Sequence, residues 1–134
     1  MINLYIFSNK SRGGLYGVGT YIRELITALR SKSNSIHIHV VHILCDQLQI
    51  EKKEVKDVSY WYFPEPISKE WNLLDQEQRK VYSRNIVYLL RNYIQDQKNL
   101  VFHLNSYRDK SLALELKIAF DCKVITVTHL FMIT

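Results

Sequence analysis

The sequence predicts an α/β domain: a mainly parallel sheet with helices on both faces. Three observations carry this. The chain opens with a buried apolar strand, a glycine-rich turn and an amphipathic helix, the start of a doubly wound fold. Strand and helix patterns then alternate as β-α-β-β-α-β-α-β, which yields a parallel sheet between helical layers. The 134 residues, 47% hydrophobic and 12% aromatic, suffice for one domain with its own core.

Ile2 to Phe7 is apolar at every position except Asn3, as expected of a central strand covered on both faces. Ser8 to Tyr16 is a polar connection, longer than a minimal strand-to-helix turn. All four glycines of the chain, Gly13, Gly14, Gly17 and Gly19, fall within seven residues. Lacking Cβ atoms, they allow a sharp turn or a close backbone approach to a ligand. The helix from about Val18 to Ser31 carries Val18, Tyr21, Ile22, Leu25, Ile26 and Leu29 as one stripe. Its first N–H groups have no partner within the helix, and its dipole makes that end weakly positive, so a phosphate is the natural guest.

Ile36 to Leu44 predicts a second strand. His37 and His39 share one face and His42 takes the other, so the three read as a half-exposed strand face and not as a metal site. Cys45 to Asp57 is a polar connection, and Val58 to Phe63 is a strand stopped by Pro64. Asp75 with Gln78 forms a capping box for a helix running to about Gln97, with Val81, Tyr82, Ile86, Leu89, Leu90, Tyr93 and Ile94 buried. Leu100 to Leu104 is a short strand. Ser106 with Asp109 caps a helix over Ser111 to Phe120, and Lys123 to Thr128 is the last strand. Ending just after a strand, the chain reads as the amino-terminal part of something longer.

The formal net charge is +5, with the cations scattered. The densest group, Arg79, Lys80, Arg84 and Arg91, lies on one predicted helix. A solvated face is the plain reading; an acidic ligand or the anionic inner face of a membrane is the other. Nucleic acid is not an expected partner. Cys45 and Cys122 lack metal-type spacing and read as free buried thiols. With no basic leader and no apolar run long enough to span a bilayer, a soluble cytoplasmic protein is expected.

Ligands of open α/β sheets bind beyond the carboxyl ends of the strands. That rule selects Ser8 and Asn9, Gly13 to Gly19, Phe63 and Pro64, Asn105 and Ser106, and His129. Only His129 among them titrates near neutrality; it can act as a base, donate a hydrogen bond to a reacting oxygen, or simply cap its strand. His103, inside its strand, reads as structural. No P-loop and no serine-hydrolase elbow is present. The dinucleotide fingerprint is incomplete: Gly17 and Gly19 fit its first two positions, but Ile22 stands at the third, while Asp46 fits the acidic ribose partner.

Tyr16-Gly17-Val18-Gly19-Thr20-Tyr21-Ile22-Arg23-Glu24-Leu25 resembles the GGIGTYIREL stretch that opens many retaining glycosyltransferases of the GT-B architecture, family 4-like in type. Val124-Ile125-Thr126-Val127-Thr128-His129 is similar to that family's strand ending in His-Asp. The resemblance covers most of the chain in order. It departs at Tyr16, where the family has glycine, and at Leu130, where it often has aspartate. It implies a Rossmann-like three-layer sandwich, the acceptor-side half of a two-domain enzyme. Gly13, Gly14, Gly17, Val18 and Gly19 would approach the diphosphate of a nucleotide sugar. His129 would be catalytic, and Asn9, Asn105 and Ser106 would lie near sugar or acceptor. No metal or other cofactor is implied. The partners implied are the nucleotide sugar, an acceptor and a carboxy-terminal domain bearing the donor-binding Glu-x₇-Glu segment, without which the chain should not turn over substrate. The alternatives are a stand-alone dinucleotide-binding oxidoreductase module and a non-enzymatic interaction domain.

Overall fold

The computed structural model describes residues 1–9, 17–45, 48–64, 75–105 and 110–127. The elements follow as β1 (Ile2–Asn9), α1 (Gly17–Lys32), β2 (Ile36–Cys45), β3 (Glu51–Val55), β4 (Val58–Pro64), α2 (Gln76–Tyr93), β5 (Leu100–Leu104), α3 (Lys110–Phe120) and β6 (Lys123–Thr126). One six-stranded sheet holds them in the order β3-β4-β2-β1-β5-β6, and only β3 runs antiparallel to its neighbour. The chain is thus an α/β, Rossmann-like sandwich, as the sequence predicts.

The pleat sorts side chains between two cores. Leu4, Ile6, Ile38, Val40 and Val58 face α1, which contributes Ile22 and Ile26 with Tyr21, Leu25 and Leu29 alongside. Tyr5, Phe7, Val41, Trp61, Phe63 and Phe102 face α2 and α3 on the other side. The mostly apolar β1, buried from Leu4 to Ser8, lies mid-sheet, where both faces exclude water.

Four predictions need correction. The polar connection Cys45 to Asp57 contains β3, all five of its residues exposed. A charged strand is stable there because it sits on the sheet edge, where only one side of its backbone needs a partner. It joins β4 through Lys56 (φ 49°) and Asp57 (φ 66°), the left-handed pair that a two-residue hairpin requires. Second, α2 ends at Tyr93, four residues before Gln97, with Ile94 leaving helical geometry as the cap. Third, Val81 and Tyr93 are 52% and 49% exposed, while Ser83 and Val87 take up the buried side. Fourth, Cys45 is buried but Cys122 is only half-buried. The Asp75–Gln78 capping box forms, with Gln78 N donating to Asp75 Oδ1 at 2.8 Å and Asp75 N to Gln78 Oε1 at 3.0 Å. The Ser106–Asp109 cap lies outside the described residues.

At the carboxyl end of the sheet a bulge interrupts β2 between His42 and Cys45, with Leu44 in the left-handed region at φ 59°. Tyr82 of α2 spans the irregularity. Its hydroxyl accepts from Leu44 N at 3.0 Å and donates to the Pro64 carbonyl at 2.8 Å. Two backbone groups that the bulge would leave unpaired are satisfied this way.

Candidate functional site

The parallel strands lie in the order β4-β2-β1-β5-β6. From β1 the chain builds outward through β2 to β4, then returns past β1 to build β5 and β6. The direction reverses between β1 and β5, and a doubly wound sheet opens a crevice at the carboxyl ends of two such strands.

Pairing of β1 with β5 runs from Asn3↔Leu100 to Ile6↔His103 and goes no further, while β1 stays paired to β2 as far as Asn9↔Ile43. Beyond Ile6 the two strands part. Asn105, the residue after β5, bridges the gap: its side-chain amide donates to the Phe7 carbonyl at 3.0 Å. This replaces the ladder bond lost where the strands diverge. Asn105 and Ser8 are both buried.

Above this point α1 begins at Gly17, and Gly19 is buried within its first turn. No acidic residue stands in the first turn of α1, so nothing on the helix offsets its positive end. One turn along, the Tyr21 hydroxyl meets His103 Nε2 of β5 at 3.4 Å, tying α1 across the strands that border the crevice. Among the described residues, buried Ser8 and Asn105 and the amide end of α1 come to this crevice, an arrangement suited to an anion.

The structure therefore places Asn9, Gly17, Val18, Gly19 and Asn105 at one end of the sheet. Phe63 leaves the set of strand-end candidates: it is fully buried in the core on the α2–α3 side, and Pro64 gives its carbonyl to Tyr82. Gly13, Gly14, Ser106, His129 and Asp46 lie outside the described residues. Val127 N donates to the Leu104 carbonyl at 2.8 Å, which carries the contact between the last strand and β5 one residue past β6.

Asn105→Ala is expected to cost about 1–3 kcal/mol in denaturant unfolding, because the Phe7 carbonyl loses its partner in a buried place. An unchanged unfolding midpoint would show the bridge to be dispensable.

The histidines of β2 lie elsewhere. His39 stacks on Tyr5 with ring centres 4.1 Å apart and packs against His37 at 4.2 Å. Trp61 Nε1 donates to His39 Nδ1 at 3.3 Å. The proton must then sit on His39 Nε2, which donates to Asn3 Oδ1 at 3.4 Å. Burial above all, then His37 and Lys52, lowers His39 to about 3, so it stays neutral. Burial likewise pushes Tyr5 up to about 12, with Asp96 adding to it. His42 points to the other face, stacked on Tyr62 at 5.1 Å. Among the described residues no group of three His, Cys, Asp or Glu could hold a metal ion. Sequence reasoning misses this cluster, and its one hint is the alternation of His37 and His39. The pairing His39↔Ser59, which sets Trp61 diagonally across from His39, is a register that no local pattern encodes.

No protein-family model matches this sequence, and neither does any curated protein. Among solved structures, the chain is similar to one described as trehalose-6-phosphate from E. coli bound with UDP-2-fluoro glucose. The match has a TM-score of 0.63 at 11% identity and covers 92% of this chain. The chain spans 32% of that structure's length. At this identity the likeness shows the shared fold: an α/β domain with a mostly parallel, six-stranded sheet.

Proposed function

We propose that the chain is the acceptor-side domain of a GT-B-type glycosyltransferase that takes its sugar from a nucleotide-sugar donor. The observation that carries this reading is the glycine-opened end of α1, free of acidic residues in its first turn, set over the strand reversal between β1 and β5. The fold likeness to a structure holding UDP-2-fluoro glucose over 92% of the chain supports it.

In this reading Gly13, Gly14, Gly17, Val18 and Gly19 approach the donor diphosphate. The helix amides stabilise the charge that builds on the leaving group as the glycosidic bond breaks. His129 is the catalytic side chain of this reading and acts at the donor sugar. This reading assigns Asn9, Asn105 and Ser106 to the sugar and acceptor. A second domain supplies the remaining donor contacts, and no metal or other cofactor is required.

The test is an NMR titration of the chain with UDP-glucose. Shifts are expected at the amides of Gly17 to Gly19, Ser8 and Asn105. Gly17→Val is expected to weaken binding about tenfold, since its side chain intrudes where the phosphate approaches. Thermal melts of the variant establish that it folds. NAD is the control. Ile22, where a dinucleotide site has glycine, is buried against β1 and β2 and holds the helix off the strand. Equal or tighter binding of NAD, or no response to UDP-glucose, overturns the reading.

A further inference from the structure

The helical layer formed by α2 and α3 has an outer face that the donor reading does not use. The two helices lie side by side on one face of the sheet, joined by Ser83 Oγ to Ser111 Oγ at 3.0 Å and by Arg84 Nε to Glu115 Oε1 at 3.2 Å. Their inner sides fill the core, so their exposed side chains point outward. On α2 these include Val81 and Tyr88, 52% and 68% exposed. On α3 they include Leu114 and Ile118, 61% and 69% exposed. Leu114 and Ile118 stand one turn apart on α3, so two large apolar side chains face water side by side.

Charge accompanies them. Val81, Arg84, Tyr88 and Arg91 recur at helical spacing along the exposed side of α2. On α3 the apolar pair stands with exposed Lys110 and Lys117. Together the two helices hold six basic residues against two glutamates, a net +4 in a chain of net +5. Both glutamates are already paired, Glu77 to Lys80 at 3.6 Å and Glu115 to Arg84 at 3.2 Å.

We propose that this face docks on an anionic lipid surface, with the α2–α3 layer lying flat and Tyr88, Leu114 and Ile118 reaching into the headgroup region. A bilayer suits the pattern better than an acidic protein. Its negative charge is spread in a plane, matching cations dispersed over two helices. Its acyl boundary also accepts apolar side chains without a shaped pocket. No helix among the described residues is long and apolar enough to cross a membrane, and the contact proposed is a peripheral one. The proposal does not depend on the donor reading, since this face lies away from the crevice above α1.

Co-flotation with vesicles tests it, using equal parts phosphatidylglycerol and phosphatidylcholine against phosphatidylcholine alone. Binding is expected to the anionic vesicles only and to fall steeply between about 0.05 M and 0.5 M salt. Arg91→Gln with Lys110→Gln is expected to lower partitioning about thirtyfold. Leu114→Ser with Ile118→Ser, a change at exposed helix positions that leaves the melt intact, is expected to lower it at least about tenfold. Four results overturn the proposal. Three are no binding to anionic vesicles, binding indifferent to both double variants, and equal capture by polyglutamate with no loss in the serine variant, which would identify an acidic polypeptide as the partner. The fourth is concentration-dependent self-association abolished by the serine variant, which would mark a contact between copies.

Discussion

Acidification from neutral pH toward pH 3 is expected to remove roughly 3–5 kcal/mol of stability through His39 alone. Its imidazole titrates near 6.5 when exposed and near 3 in the fold, where burial, then His37 and Lys52, oppose the charge. Between those two values the unfolded chain binds more protons than the folded one. Stability therefore rises with pH across that window and is lost as pH falls through it. The structural cost is explicit: a proton on His39 Nδ1 would displace the Trp61 indole N–H that it accepts. His39→Phe keeps a ring for Tyr5 to stack on but cannot titrate. At pH 7 it should be less stable by about 1–3 kcal/mol, because the indole N–H loses its acceptor. Its stability should then change less than that of the parent between pH 6.5 and 4. Urea unfolding of both proteins across that range makes the comparison, and parallel slopes would clear His39 of the effect. At the alkaline end, Tyr5 is held neutral to about 12, so the unfolded chain loses its phenol proton first and stability falls as pH rises from 10.

Phe102→Ala is expected to cost about 3–5 kcal/mol, a large share of what a domain of this size has to spare. Phe102 is fully buried on the middle of β5. Its ring lies 5.6 Å from Tyr5, 5.8 Å from Phe7 and 5.3 Å from Phe120, so it joins two strands to α3. Truncation leaves a cavity bounded by rigid rings, which collapse poorly into the space. The functional consequence is sharper than the stability loss. β5 carries Asn105 three residues on, and a β5 free to shift loosens the bridge to Phe7 that shapes the crevice. The variant should unfold at much lower denaturant and show weakened amide protection at Ser8 and Asn105. A loss below about 1.5 kcal/mol would mean that the surrounding rings repack.

Much of the fold was legible because its signals are local. β5 falls at Leu100 to Leu104 as read, the Asp75–Gln78 box forms, and α1 differs by one residue at each end. What escaped depends on neighbours. Glu51 to Val55 carries no apolar alternation, since an edge strand with both faces in water needs none. The last turn expected of α2 is absent because Ile94 is drawn into the core, which ends the helix there. For the site, the strand-end rule lists Asn9, Gly17 and Asn105, which stand at the end of β1, the start of α1 and just past β5. It admitted Phe63 wrongly, because the rule cannot say which side chains turn inward. That Asn105 would satisfy a carbonyl 98 positions away was not readable from spacing.

The exposed rim strand β3 reads Glu51-Lys52-Lys53-Glu54, a charge palindrome. If two copies of the molecule met rim to rim, head-to-tail pairing centred on this strand would set glutamate against glutamate and lysine against lysine. Pairing in the same direction and in register would do so as well. Like charges directly opposed disfavour such a ladder. The outermost backbone can thus keep open hydrogen-bonding groups without templating a fibre, and a Lys53→Glu exchange would lift part of that prohibition.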